Sequence, residues 1–208
     1  AEVLSFMKEC IRQNKTDFDF AILTNGVKLS KQFLNLIGHF TNVNFSISLD
    51  GYGKINDYWR WGSDWNSIIE NMHMLKKLGY PLSVNCVPGI YNVTNLHLLY
   101  EFLDQEFPKI GMYLQLNHVG LQSAYNHPNT QLVVESMKKC QSTLTYHTDG
   151  KSNQTVIDSL LNYYSSNPKI NLQDLCAFFD YNDKLDQVRN VQLKHYIPEL
   201  DECRNLID

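Results

Sequence analysis

Ser46, Ser48 and Asp50 alternate along the short run Asn44-Phe-Ser-Ile-Ser-Leu-Asp-Gly51, and this run is the chain's leading candidate for chemistry. In an extended strand successive side chains point to opposite faces. Ser46, Ser48 and Asp50 therefore share one face, and Phe45, Ile47 and Leu49 share the other. Strands of parallel sheets are usually apolar on both faces. Three polar groups facing one way suit a barrel interior that holds a polar ligand. The competing account makes the serines small fillers and Asp50 a cap for the next turn. Further on, Arg60 stands between Trp59 and Trp61. A guanidinium at a barrel mouth can clamp a carboxylate through two parallel hydrogen bonds; the alternative is a surface arginine stacked on tryptophan. Thr24 and Asn25 close an earlier apolar run, Phe20-Ala-Ile-Leu-Thr-Asn-Gly26. Asn85, and Gln115 or Asn117, come late in two later runs. These neutral groups can read a nucleoside or a peptide, and can equally satisfy only their own loops.

Asp50 is the sole carboxylate at these run ends, which argues against a paired-carboxylate hydrolase. No glycine-rich phosphate loop is present. None of the seven histidines has a metal-ligand spacing partner, and His118 reads as a satisfied histidine at a strand end. The five cysteines (Cys10, Cys86, Cys140, Cys176 and Cys203) are widely spaced, without a C-x-x-C pair. They read as free, mostly buried thiols in a reducing, cytoplasmic setting, with Cys176 and Cys203 as core thiols. N-x-[ST] sequons occur at Asn14, Asn44, Asn92 and Asn153. Lys and Arg total 18 against 22 Asp and Glu, a net charge of −4, and no basic block offers a nucleic-acid footprint. No apolar run approaches the roughly 20 residues that cross a bilayer, so no membrane partner is expected.

The elements that must position these residues follow from periodicity. A helix is expected over residues 2–13, and strands over Phe18–Thr24, Val43–Leu49, Leu82–Val87 and Met112–Val119. Between them, helices are expected from Ser30 as N-cap to Ile37, over Trp65–Leu78 and over Asn95–Phe107. Such alternation implies βαβ units and a parallel sheet with right-handed crossovers. Ligand sites in such folds gather at the carboxyl ends of the strands. Beyond Gly120 the pattern turns helical: 131–146, 154–165, Leu172–Phe179 and Asp183–Lys194, with a polar segment at His147–Asn153 and a stop at Pro198.

The order of these segments resembles the later part of a radical SAM enzyme barrel of the SPASM/twitch group. The matching motifs are Thr24-Asn25-Gly26, Ser48-Leu49-Asp50-Gly51, Tyr58-Trp59-Arg60 and Val87-Pro88-Gly89. The resemblance covers roughly residues 1–120. It implies an α/β fold, a partial TIM-like (β/α) barrel over 1–120 followed by a helical C-terminal extension over 121–208. It further implies that Ser48 and Arg60 bind the carboxylate of S-adenosylmethionine and that Asp50 lies near the cofactor ribose. Asn85 and Val87 would contact the nucleoside, and Thr24 is carried with them as a cofactor-binding position. The implied chemistry is reductive cleavage of that cofactor at a 4Fe-4S cluster, opening radical chemistry on a peptide or small-molecule substrate.

The family's C-x-x-x-C-x-x-C loop and Gly-Gly-Glu strand have no counterpart here. The ligands of the cluster are thus expected upstream of Ala1, where the amphipathic pattern has already begun. This chain alone is expected to hold no cluster, to supply no catalytic residue or metal ligand, and to be inactive by itself. Two alternatives stand beside this reading. One is a non-catalytic ligand- or peptide-binding module on a degenerate barrel; the other is a different barrel hydrolase or transferase with Asp50 as base.

Overall fold

The computed structural model describes residues 2–117, 120–143 and 150–207. Helix α1 (Glu2–Arg12) leads to β1 (Asp19–Thr24), α2 (Lys31–Ile37), β2 (Asn42–Ser48), α3 (Lys54–Trp59) and α4 (Trp65–Lys77). Then come β3 (Leu82–Cys86), α5 (Leu96–Glu106) and β4 (Gly111–Leu114). The helical remainder comprises α6 (Thr130–Thr143), α7 (Gly150–Ser165), α8 (Leu172–Arg189) and α9 (Pro198–Asp201). The four strands form one all-parallel sheet in the order β1-β2-β3-β4. Its register runs from Asp19 opposite Asn42 to Thr24 opposite Ile47. The expected alternation of strands and helices, with a helical C-terminal region, is therefore present.

Several boundaries differ from expectation. Helix α3 spans only six residues, too short to show a period. Residues 172–189 form one helix where two were expected, and Asn182, between the two expected helices, is buried in the core. Strand β4 stops at Leu114, short of the expected Val119. The expectation for His118 lies outside the described residues, as does most of the polar segment expected at His147–Asn153.

The chain divides into two compact units, Ala1–Ser48 with Asp64–Val84, and Leu49–Ser63 with Asn85–Asp208. In the first, the alternation of β2 holds. Val43, Phe45 and Ile47 are buried, while Asn42 and Asn44 are exposed and Ser46 and Ser48 half-buried. Ile68, Met72 and Leu75 of α4 are fully buried at helical spacing, each contributing about 1.5–3 kcal/mol of apolar burial. Ser30 caps α2 as expected, its hydroxyl accepting the Phe33 N–H at 3.1 Å. Gly26 turns the chain after β1 with φ at +72°, where a side chain would be strained and would also press on Ile47 and Ile68.

In the second unit, Ile55, Tyr58, Tyr91, Phe178, Leu193 and Leu200 belong to one buried cluster. Asn171 caps α8 by accepting the N–H groups of Gln173 and Asp174. Asn153 of α7 is fully buried. Its Nδ2 donates to Met112 O at 2.6 Å and its Oδ1 accepts Leu114 N–H at 2.9 Å. One amide thereby caps polar groups of β4 that no further strand takes up among the described residues. Cys86, Cys140 and Cys203 are buried, but Cys176 is exposed. That corrects the expectation that Cys176 is a core thiol: it falls on the outer face of α8. Among the described residues no helix is long and apolar enough to cross a membrane.

Candidate functional site at Asp50 and Arg60

Asp50 follows β2 by two residues and is only 5% exposed. Burial is affordable because every polar group it carries has a partner. Its Oδ1 accepts the Val87 N–H at 2.8 Å. Its Oδ2 lies 2.7 Å from Arg60 Nε. Its backbone N–H donates to Asn56 Oδ1 at 3.0 Å, and its carbonyl accepts from Asn92 Nδ2 at 2.7 Å. Burial pushes the Asp50 carboxyl above its ordinary value, opposed by the Val87 N–H and then by the Arg60 charge.

Arg60 ends α3 with its side chain 31% exposed. Its Nε approaches Asp50 off the N–H axis, so the contact is an ion pair rather than a well-directed hydrogen bond. Among the described residues, neither terminal nitrogen Nη1 nor Nη2 has a partner. The alternative of an Arg60 stacked on tryptophan is not what the structure shows. The cation over Trp61 is Arg189, 5.5 Å from the ring centroid.

Two asparagines that sequence reasoning did not assign to this site hold it together. Asn56 takes the Asp50 N–H and donates to Ser63 Oγ at 2.9 Å, closing the loop that carries Arg60. Asn92 is fully buried. Its Nδ2 reaches Asp50 O and Val87 O, and its Oδ1 accepts the Gly89 N–H at 2.7 Å. In sequence Asn92 showed only as a sequon; its buried, fully engaged amide, like that of Asn153, is no acceptor for a glycan. Cys86 lies beside Asn92 with its thiol pushed well up, by burial first and by the Asp50 charge second. It is an inert thiol.

The remaining sequence candidates divide between the units. Asn85 and Val87 are half-buried in the second. Asn85 O accepts the Leu49 N–H at 2.9 Å, and both backbone groups of Val87 are taken by Asp50 and Asn92. Thr24 and Ser48 belong to the first. Thr24 Oγ1 accepts the Gly26 N–H at 3.1 Å, so it serves its own turn. Ser48 is half-buried, and its hydroxyl has no partner among the described residues. Among the described residues no group of three or more His, Cys, Asp or Glu could hold a metal ion.

Gly89 shows why the Val87-Pro88-Gly89 segment ends as it does. A Cβ there would collide with the Trp59 indole and lie 2.8 Å from Gln122 O. Gly89→Ala is expected to destabilise by about 1–3 kcal/mol through overpacking. A urea midpoint equal to that of the parent would show that Trp59 yields freely.

Chemically, this is an arginine presented by a buried carboxylate, with two terminal nitrogens ready for an anion. It is not a general-base site: both Asp50 oxygens are engaged and the group is sealed from a substrate proton. The sequence matches no known family model, and no curated protein matches it.

Proposed function

We propose that Arg60 binds the carboxylate of S-adenosylmethionine and that this chain is the C-terminal portion of a radical SAM enzyme built on a partial (β/α) barrel. The observation that carries the reading is the Arg60 guanidinium, held through Nε by buried Asp50, with Nη1 and Nη2 unpaired among the described residues. Two N–H donors in a fixed fork match a carboxylate. Asp50 then orients Arg60 rather than touching the ribose. The resemblance also assigns Ser48 to the cofactor carboxylate. Bound S-adenosylmethionine, reductively cleaved, would supply a 5′-deoxyadenosyl radical. The 4Fe-4S cluster finds no ligand set among the described residues; its ligands would belong to a segment outside this chain. Strand β1, at one end of the strand order, leaves Leu23 exposed, which suits a sheet that continues with further strands.

The test uses the protein encoded together with the sequence upstream of Ala1, reconstituted anaerobically with iron and sulfide. Release of 5′-deoxyadenosine on reduction supports the reading. Absence of both cluster and nucleoside release moves it to the second one, a non-catalytic module whose Arg60 binds the carboxylate of a ligand or peptide. In calorimetry, Arg60→Ala is expected to weaken S-adenosylmethionine binding by about 2 kcal/mol, roughly thirtyfold. Unchanged affinity would sink the assignment.

A further inference from the structure

Arg189 is the last residue of α8. Its Nη1 donates to Tyr58 O at 3.2 Å, and its guanidinium lies over the Trp61 ring, 5.5 Å from the centroid. These two contacts hold the group from two directions. A guanidinium carries five N–H donors in a rigid plane. Among the described residues, Nε and Nη2 of Arg189 have no hydrogen-bond partner. Those two nitrogens share one edge of the plane, so a complete two-pronged fork is left free. The carboxylates nearest to it along α8 are spent elsewhere. Asp186 accepts the Tyr58 hydroxyl and the Leu193 N–H, and Asp183 accepts from Arg204. Arg189 is thus a fixed, half-buried cation that no carboxylate answers among the described residues.

Its surroundings are apolar and open. Trp61 is 54% exposed. Val188, next to Arg189 in the chain, is 86% exposed, the highest of any large apolar side chain among the described residues. Tryptophan and arginine are the residue types that most often dominate protein recognition. So open a face encloses too little of a small molecule, whose sites bury most of the ligand. A nucleic acid needs a run of cations, and the chain has a net charge of −4 with no basic block.

We infer that Arg189, Trp61 and Val188 form a docking surface for an acidic peptide segment. A carboxylate side chain of the peptide takes the free Nε–H and Nη2–H of Arg189 through two parallel bonds. Apolar side chains of the same peptide lie on Trp61 and Val188. Arg60, one residue before Trp61, keeps its own free nitrogens for the cofactor carboxylate. Naming this peptide as the enzyme's substrate rests on the radical SAM reading; the docking surface itself does not.

The probe is a capped hexapeptide of alternating glutamate and leucine. It is titrated into the full chain, labelled with ¹⁵N, while the Trp61 indole N–H and Arg189 Nε–H resonances are followed by NMR. Saturable shifts of both are expected, weakening as salt is raised. The glutamine–leucine and lysine–leucine analogues are expected to bind about tenfold more weakly or worse. Arg189→Lys keeps the charge without the fork and is expected to lose about tenfold in affinity. Because Arg189 also holds the Tyr58 carbonyl, Trp61→Ala provides a second arm at an exposed position, with a loss of similar size. Shifts confined to other residues, equal affinity for the three peptides, or unchanged affinity in Trp61→Ala overturn the inference. So do shifts that follow protein concentration without peptide, which mean that a second copy occupies the face. Peptide binding is read without S-adenosylmethionine, so the two readings fail separately. Release of 5′-deoxyadenosine without peptide binding removes the docking surface alone, and peptide binding without a cluster leaves that surface on a binding module.

Discussion

Asp50→Ala is expected to lower stability by about 2–3 kcal/mol, while Asp50→Asn costs less than about 1 kcal/mol. The alanine variant strips the Val87 N–H of its acceptor in a buried position, and an unmatched buried donor alone costs roughly 1–3 kcal/mol. It also removes the counter-charge of Arg60, but that side chain is 31% exposed and its charge stays partly hydrated. Asparagine keeps an oxygen for the Val87 N–H and resembles the protonated carboxyl that burial favours. The sign follows from linkage. The folded-state pKa of Asp50 is raised above the unfolded value of about 3.9, so between the two the folded chain holds the extra proton. The contribution of Asp50 is therefore fully present below about pH 3.9 and declines as pH rises through the folded-state value. Asp50→Asn is expected to lack that decline. Urea unfolding of parent and both variants from pH 3 to pH 8 checks the set. Equal losses in Asn and Ala variants would mean that the ion pair, not the Val87 hydrogen bond, carries the stability. Binding separates them differently: both variants release Arg60 and are expected to weaken carboxylate binding alike.

The order of elements was legible because strands and helices write different periods into a chain. Ile68, Met72 and Leu75 mark a helix face, and Val43, Phe45 and Ile47 a strand face. The residues closing the Asp50 site were less legible. Asn56 and Asn92 act through amides that bond backbone groups, and that use leaves no pattern in sequence. The partners Asp50 and Val87 are far apart in the chain, so only the adjacency of β2 and β3 reveals that one receives a hydrogen bond from the other. The single helix 172–189 was illegible for a related reason. Polar Asn182 and Asp186 look like surface residues, yet both are buried because tyrosine hydroxyls meet them.

Asp186→Ala is expected to destabilise the protein by about 2–4 kcal/mol, and to weaken carboxylate binding although Asp186 stands on α8, outside the Asp50 site. Asp186 Oδ1 accepts the Tyr58 hydroxyl at 2.7 Å, and Oδ2 accepts the Leu193 N–H at 2.7 Å. Alanine leaves a phenol and an amide buried without acceptors, each costing roughly 1–3 kcal/mol. Tyr58 has one proton. The charged Asp186 is the stronger claimant over Asn182 Oδ1, which lies 3.0 Å from the same hydroxyl and also takes the Tyr91 hydroxyl at 2.9 Å. Burial first, and the Asp186 hydrogen bond second, push the Tyr58 phenol well above its ordinary value, so it stays a donor. One turn along α8, Arg189 Nη1 donates to Tyr58 O at 3.2 Å and its guanidinium covers Trp61. Helix α8 therefore grips the chain on both sides of Arg60. Loosening Tyr58 frees the segment that aims the guanidinium, and the entropy of re-ordering it is charged against binding. A double-mutant cycle of Tyr58→Phe with Asp186→Ala, read by urea unfolding and by calorimetry, tests this. A coupling of about 1 kcal/mol or more is expected in unfolding. Destabilisation with unchanged ligand affinity would mean that α8 supports the core alone and does not position Arg60.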